Sequence, residues 1–204
     1  MYRPFLVTPP SILPVTLAEF KEWTDMPAAA TDKDGPLTLA LSAAVGHVDG
    51  WTGILGRALC EQTWRQDFDG LSLRCMRLPL FPVISITSVK YKDTSGAEQT
   101  IDAANYTLQT DDLGSYVQFL STYTSPSLWT ELPRASVTYK AGYANTGTVE
   151  APLAGNVPPP IKQGIVLLAR HWFDNPTAVV VGVAAQAMPK GADALLSPYE
   201  RKRF

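Results

Sequence analysis

Pro158–Asn175, PPPIKQGIVLLARHWFDN, is the stretch whose reading decides how the rest of the chain must be arranged. Its prolines end whatever precedes it, and proline is tolerated in a first helical turn, where its missing N–H costs nothing. Ile161, Ile165, Leu168 and Trp172 then recur at i, i+4, i+7 and i+11, one apolar stripe at helical period. Val166, Leu167 and Ala169 widen that stripe beyond one face. Lys162 and Gln163 mark the solvated start, Arg170 and His171 suit the negative end of the helix dipole, and Asn175-Pro176 stops the run. A helix this apolar belongs in the middle of a core, so other elements must cover it.

Composition narrows the function classes. With 204 residues the chain has room for one elaborated domain or two small ones. Apolar residues make up 46%, enough for a core, while only 18% are charged, which suggests that some surface is covered by a partner. A net charge of −2 gives no global reason to wrap nucleic acid. No apolar run spans a bilayer and no leader pattern opens the chain, so no membrane association is expected. Cys60 and Cys75 make neither a disulfide framework nor a metal knuckle, and His47 and His171 have no ligand-spaced companions. Phosphate-binding, dinucleotide-binding and nucleophile-elbow motifs are absent from the sequence. No catalytic, cofactor-binding or metal-ligating residue is singled out, and an enzyme is not expected.

Residues 1–14 carry Pro4, Pro9, Pro10 and Pro14 and read as an extended arm. Thr16 with Glu19 forms a capping box, Val15 and Phe20 a hydrophobic staple, and a short helix over 16–25 follows. Pro36 opens a second helix, expected to run to residue 54, with Leu37, Leu41, Ala44 or Val45, Val48 and Trp51 on one face. Gly46, Gly50 and Gly53 within it suggest close packing against another helix. From Leu59 to Tyr143 the pattern changes to period two. Asp69-Gly70 is a strong hairpin signal, pairing Phe68 with Leu71 and Trp64 with Cys75. Residue 60 then lies opposite residue 79, too far from Cys75 for a disulfide, so both cysteines are expected as thiols. Further turns fall at Asp93–Gly96 and Asp111–Gly114, Trp129 looks exposed in a polar loop, and Ala135–Tyr143 closes the sheet. After Asn175, Val179–Val183 reads as either a strand or a flexible arm, and Gly191–Leu196 as a short terminal helix.

The expected architecture is α+β. A small bundle of three main helices plus a short C-terminal helix carries an inserted antiparallel β-sheet domain. The helical domain takes residues 15–58 and 158–176, the β insertion 59–145, and a C-terminal arm 177–204. The helices should bury Phe20, Leu41, Val48, Ile165, Leu168 and Trp172.

This layout resembles a known family. The opening TPP and PVTLAEFKEW (Thr8–Pro10, Pro14–Trp23) lead to WTGILGRAL (Trp51–Leu59), and Thr63-Trp64 precede RLPLFPVISITSVKY (Arg77–Tyr91). VTYKAGY (Val137–Tyr143), the central helix and ALLSPYERKRF (Ala194–Phe204) complete the set. Together they resemble the head–tail connector (adaptor, or head-completion) proteins of long-tailed bacteriophages, prophages and gene transfer agents. The resemblance implies a structural virion protein at the head–tail interface, in the host cytoplasm during assembly. It implies a homo-oligomeric ring of twelve copies in the particle, beneath the portal protein, and leaves open whether the chain in isolation is a monomer. The ring extends the DNA channel without reading sequence and meets a stopper or tail-completion protein. No cofactor is implied. It also favours Leu195, Leu196, Tyr199, Arg201, Lys202, Arg203 and Phe204 as a portal-docking arm, against simple packing on the home domain.

Other residues carry weaker signals. Arg57, Arg65, Arg74 and Arg77 would suit a DNA-facing strip, but Glu61, Asp67 and Asp69 lie among them and favour ordinary solvated strand faces. Asp111-Asp112 is half a cation site, or a turn beside Gly114. A double-stranded-DNA-binding module and a tail-associated hydrolase remain the alternative functions; the first needs a continuous basic face, the second a pocket with paired carboxylates or a metal cluster.

Overall fold

The computed structural model describes residues 2–148, 151–175 and 190–201. Val179–Val183 and Lys202, Arg203 and Phe204 lie outside them. The chain divides into two compact units, one made of Met1–Ser11 and Cys60–Ala144, the other of Ile12–Leu59 and Asn145–Phe204.

The second unit is helical. Its helices are α1 (Leu17–Trp23), α2 (Asp34–Val48), α3 (Pro159–Asp174) and α4 (Lys190–Leu196), the last followed by a 3-10 turn at Ser197–Tyr199. Thr16 caps α1 through a reciprocal box with Glu19, and Val15 and Phe20 on either side are buried. Helix α3 is packed against α2 and α4. Ile161, Ile165, Leu168 and Ala169 are fully shielded from water, as are Leu37, Leu41, Ala44 and Val48 of α2. Trp172 is half-buried and meets His47 edge-on, ring centroids 5.6 Å apart. Each large side chain withdrawn here contributes about 1.5–3 kcal/mol.

Helix α2 ends six residues short of the sequence expectation, and the glycines explain why. Gly50 has φ of 77°, a left-handed conformation that stops the helix. Gly53 sits where a Cβ would overlap the carbonyls of Val48 and Asp49, inside the tight loop that follows. That loop is held by Asp49, whose carboxylate accepts from the Leu59 N–H at 2.7 Å. Gly46 lies within α2, exposed, and a Cβ there meets nothing within 4 Å. Close helix–helix packing inside the unit therefore does not account for any of the three.

Lys21 is 5% exposed, which its place on α1 does not announce. Its ammonium pairs with Asp34 at 2.5 Å and donates to the Ala30 carbonyl at 2.7 Å and the Ala28 carbonyl at 3.4 Å. One cation thereby fixes the connection between α1 and α2 and satisfies backbone groups that would otherwise be left without partners.

The β unit contains β1 (Phe5–Thr8), β2 (Gln62–Phe68), β3 (Met76–Arg77), β4 (Val83–Lys92), β5 (Glu98–Ile101), β6 (Tyr106–Asp111), β7 (Gly114–Phe119) and β8 (Ala135–Ala141). A small ribbon, β9 (Thr146–Gly147) with β10 (Pro152–Leu153), belongs to the helical unit. Five strands form one antiparallel sheet in the order β1-β2-β8-β4-β5, and three form another, β3-β7-β6. Trp64, Val89, Val137 and Tyr139 line the buried face of the larger sheet; Met76, Val117 and Phe119 line that of the smaller. The Tyr106 hydroxyl bonds the Val89 backbone and ties the two together.

Three expectations for this unit are corrected. The Asp69-Gly70 hairpin does not form: β2 is flanked by β1 and β8, so both its hydrogen-bonding edges are taken and residues 71–78 have none to join. Gly70 is also not in the left-handed region that Gly96 (φ 83°) and Gly114 (φ 116°) adopt in the hairpins that do form. The proline-rich arm supplies β1, an edge strand on β2, and β8 lies at the sheet's centre instead of closing it. Trp129 is half-buried, its ring against Gly96 and its backbone N–H donating to the Lys92 carbonyl. Cys60 and Cys75 are not joined to each other.

Two substitutions test this account. Lys21→Ala leaves Asp34 and two carbonyls unanswered and should lower unfolding stability by about 1–3 kcal/mol in denaturant melts. Gly46→Ala, with open space around the new methyl, should raise it by about 0.5–1 kcal/mol; a loss would mean that α2 is packed more tightly there than described.

Candidate docking surfaces

The C-terminal segment was the sequence-based candidate for a partner contact. The structure seats its helix on the home unit. Leu196 is 1% exposed and packs on Gly164 of α3, where a Cβ would come within 2.8 Å of the leucine side chain. Ala192 is buried beside it, and Gly191 approaches Leu167. The Tyr199 carbonyl accepts from Arg57 Nε at 2.5 Å, and the Arg201 N–H donates to the Leu55 carbonyl at 3.0 Å. Leu196 is therefore a core residue, because Gly164 clears the space for it; Leu195, Tyr199 and Arg201 keep part of their surface in solvent. The signal in the sequence was Gly164 itself, an unexplained glycine on the apolar helix.

The basic residues do not form a strip. Arg65 Nε pairs with Asp67 at 2.7 Å, Lys90 with Glu98 at 2.8 Å and Lys140 with Glu61 at 2.8 Å, so each of these three cations is answered by an acid of the same unit. Arg74 is exposed, and Arg57 belongs to the helical unit. Arg77 grips Asp111 with two hydrogen bonds, at 2.9 and 2.7 Å, and its guanidinium lies over the Tyr116 ring, 5.4 Å from the centroid. Asp111 thus anchors the β6–β7 turn and also accepts from the Leu113 N–H. The Arg77 hydrogen bonds hold the Asp111 carboxyl down to about 2. Among the described residues no group of three or more His, Cys, Asp or Glu could hold a metal ion. No described helix is long and apolar enough to cross a membrane.

One apolar groove opens on the helical unit, between α1 and the first half of α3. Buried Val15 and Val166 line it together with Trp23 and Pro159, with Glu19, Lys162 and Gln163 around them, and it encloses about 130 Å³. Lys162 spans the two helices to Glu19 at 3.4 Å. Trp23 stays 61% exposed. The Glu19 carboxyl is opposed by desolvation, yet its hydrogen bonds to Thr16 and the Lys162 charge hold it below the usual range.

No family model matches the sequence, and no curated protein matches it either. Solved structures do share the fold. A chain in the neck of an empty GTA particle, computed with C6 symmetry, superposes with a TM-score of 0.75 at 21% identity. A chain in the virion of a native gene transfer agent (GTA) particle gives 0.72 at 21%. A chain in the neck of a native GTA particle, computed with C12 symmetry, gives 0.67 at 20%. Each match covers 100% of this chain and 97% of the other. The α+β architecture, helical bundle and inserted sheet together, is thus the fold of those neck and virion chains from end to end.

Two measurements check the assignments above. Leu196→Ala should cost about 2–5 kcal/mol, as for other buried leucine truncations, and Gly164→Ala should also destabilise. For Asp111 the folded value lies below the unfolded one, so its contribution to stability is present above about pH 4 and is lost as pH falls toward about 2. A carboxyl titration followed by NMR should show that low midpoint, and Arg77→Gln should return it toward about 3.9.

Proposed function

We propose that this chain is a structural head–tail adaptor of a phage-like particle. Copies form a ring beneath the portal protein, extend the DNA channel and present a platform to the stopper or tail-completion protein. The observation that carries this reading is the end-to-end fold match to chains in the necks of symmetric particles. Local chemistry supports it. A channel that DNA must leave quickly should not grip phosphates, and Arg65, Lys90 and Lys140 each spend their charge on an acid of the same chain. Twelve copies per ring in the particle is part of the same proposal, whether the isolated chain is monomeric or already associates. So is docking to the portal through the exposed parts of Leu195, Tyr199 and Arg201 together with Lys202, Arg203 and Phe204. The ring belongs in the virion at the head–tail interface, with assembly in the host cytoplasm.

The test is electron cryo-microscopy of the particles that carry this chain, compared with particles made without it. The expected result is ring density at the portal vertex that accepts this fold, and DNA-filled heads that leak or stay tailless when the chain is missing. Normal tailed particles without the chain would overturn the reading. Binding to duplex DNA should be weak at physiological salt. A steep fall of a tight affinity with salt would instead favour a DNA-binding module.

A further inference from the structure

Helix α2 is uncharged from Gly35 to Val48 apart from His47, yet half its circumference faces water. A surface helix ordinarily puts charge on its wet side. Here that side carries Gly35, Pro36, Thr38, Leu39, Ser42, Ala43 and Gly46, and Leu39 is 72% exposed. Small residues around it leave Leu39 as a lone knob on a smooth helix. Leu153, also exposed, differs because its side chain already lies against Gly147.

The α1–α3 groove supplies the matching hole. At about 130 Å³ it is of the size that admits one branched or small-ring apolar group, since an engineered cavity of about 150 Å³ takes up benzene. Its floor is aliphatic, and its charged rim is already internally paired through Glu19 and Lys162, so it offers a neutral occupant no electrostatic penalty. Helix α2 turns its buried face to α3 and α1, so its free face points away from both, whereas the groove lies between α1 and α3. Knob and hole therefore cannot meet within one copy. Two different, complementary patches on one chain make a head-to-tail contact, the kind that closes into rings.

We infer that Leu39 of one copy seats in the α1–α3 groove of the next, with the smooth face of α2 lying across Trp23 and Pro159. The occupant is thus a second copy of this chain. The inference rests on the adaptor reading and names the surfaces by which the proposed ring closes.

Disulfide trapping and mass measurement test it. In a Cys75→Ser background, Leu39→Cys with Gln163→Cys on the same chain should give, on oxidation at high concentration or in purified particles, a ladder of linked copies. Neither single variant should. Leu39→Lys, on a solvent-facing position, should leave the melting temperature unchanged and weaken self-association about 10–100-fold, the equivalent of one large side chain left unburied. Linked dimers from Leu39→Cys alone would mean that α2 faces α2, and would overturn the inference. So would a wild-type multimer that survives Leu39→Lys and gives no ladder; the adaptor reading would then stand without it. If neither solution nor particles contain a multimer, the adaptor reading itself falls, and this inference with it.

Discussion

Helix α3 cannot be left with any large part of its surface in water. Its apolar side chains cover more than one face, so a single neighbour does not shield it, and the fold answers from two directions. Helix α2 covers one side through Leu37, Leu41, Ala44 and Val48, and α4 covers another by laying Leu196 over Gly164. Ordering each residue costs roughly 1–2 kcal/mol in backbone entropy, so the seven residues of α4 stay docked only because Ala192 and Leu196 disappear from solvent. The topology follows from the same constraint. Two helices come early in the chain and their indispensable partner comes late, so whatever lies between must leave the helical unit and return. The chain does so at Leu59 and Asn145.

What the sequence revealed and what it hid divide along one physical line. Local signals read correctly: the Thr16–Glu19 box, proline at the start of α3, and the turns at Gly96 and Gly114 each depend on residues within one turn of each other. Strand pairing does not work that way. Asp69-Gly70 has the composition of a tight turn, but whether it becomes one depends on Phe5–Thr8 and Ala135–Ala141, which reach β2 from opposite ends of the unit. An edge already occupied overrides a turn propensity, and periodicity carries no record of occupancy.

Docking surfaces were the least legible. A buried lysine such as Lys21 looks in sequence like any other helix-surface charge, because its partners are backbone carbonyls of a loop with no motif. Leu196 looked like spare apolar surface because the space that receives it is the absence of a side chain at residue 164. In both cases the deciding partner is a group that a sequence reading does not weigh.

Glycines separate what the fold itself requires from what it leaves unexplained. Gly142 is required: φ is 121°, and a side chain would overlap the Cys60 carbonyl. Gly164 is required by Leu196, and Gly50 by the end of α2. Gly46 has no such reason. It lies mid-helix, at a cost of about 1 kcal/mol against alanine, with open space where its Cβ would be. A residue that weakens its own helix and relieves no contact within the chain is consistent with a requirement imposed from outside it. It lies on the same uncharged face as Leu39. That a helix should give up both charge and propensity on one side is difficult to explain for a surface meant for water, and follows naturally if another backbone must come close there.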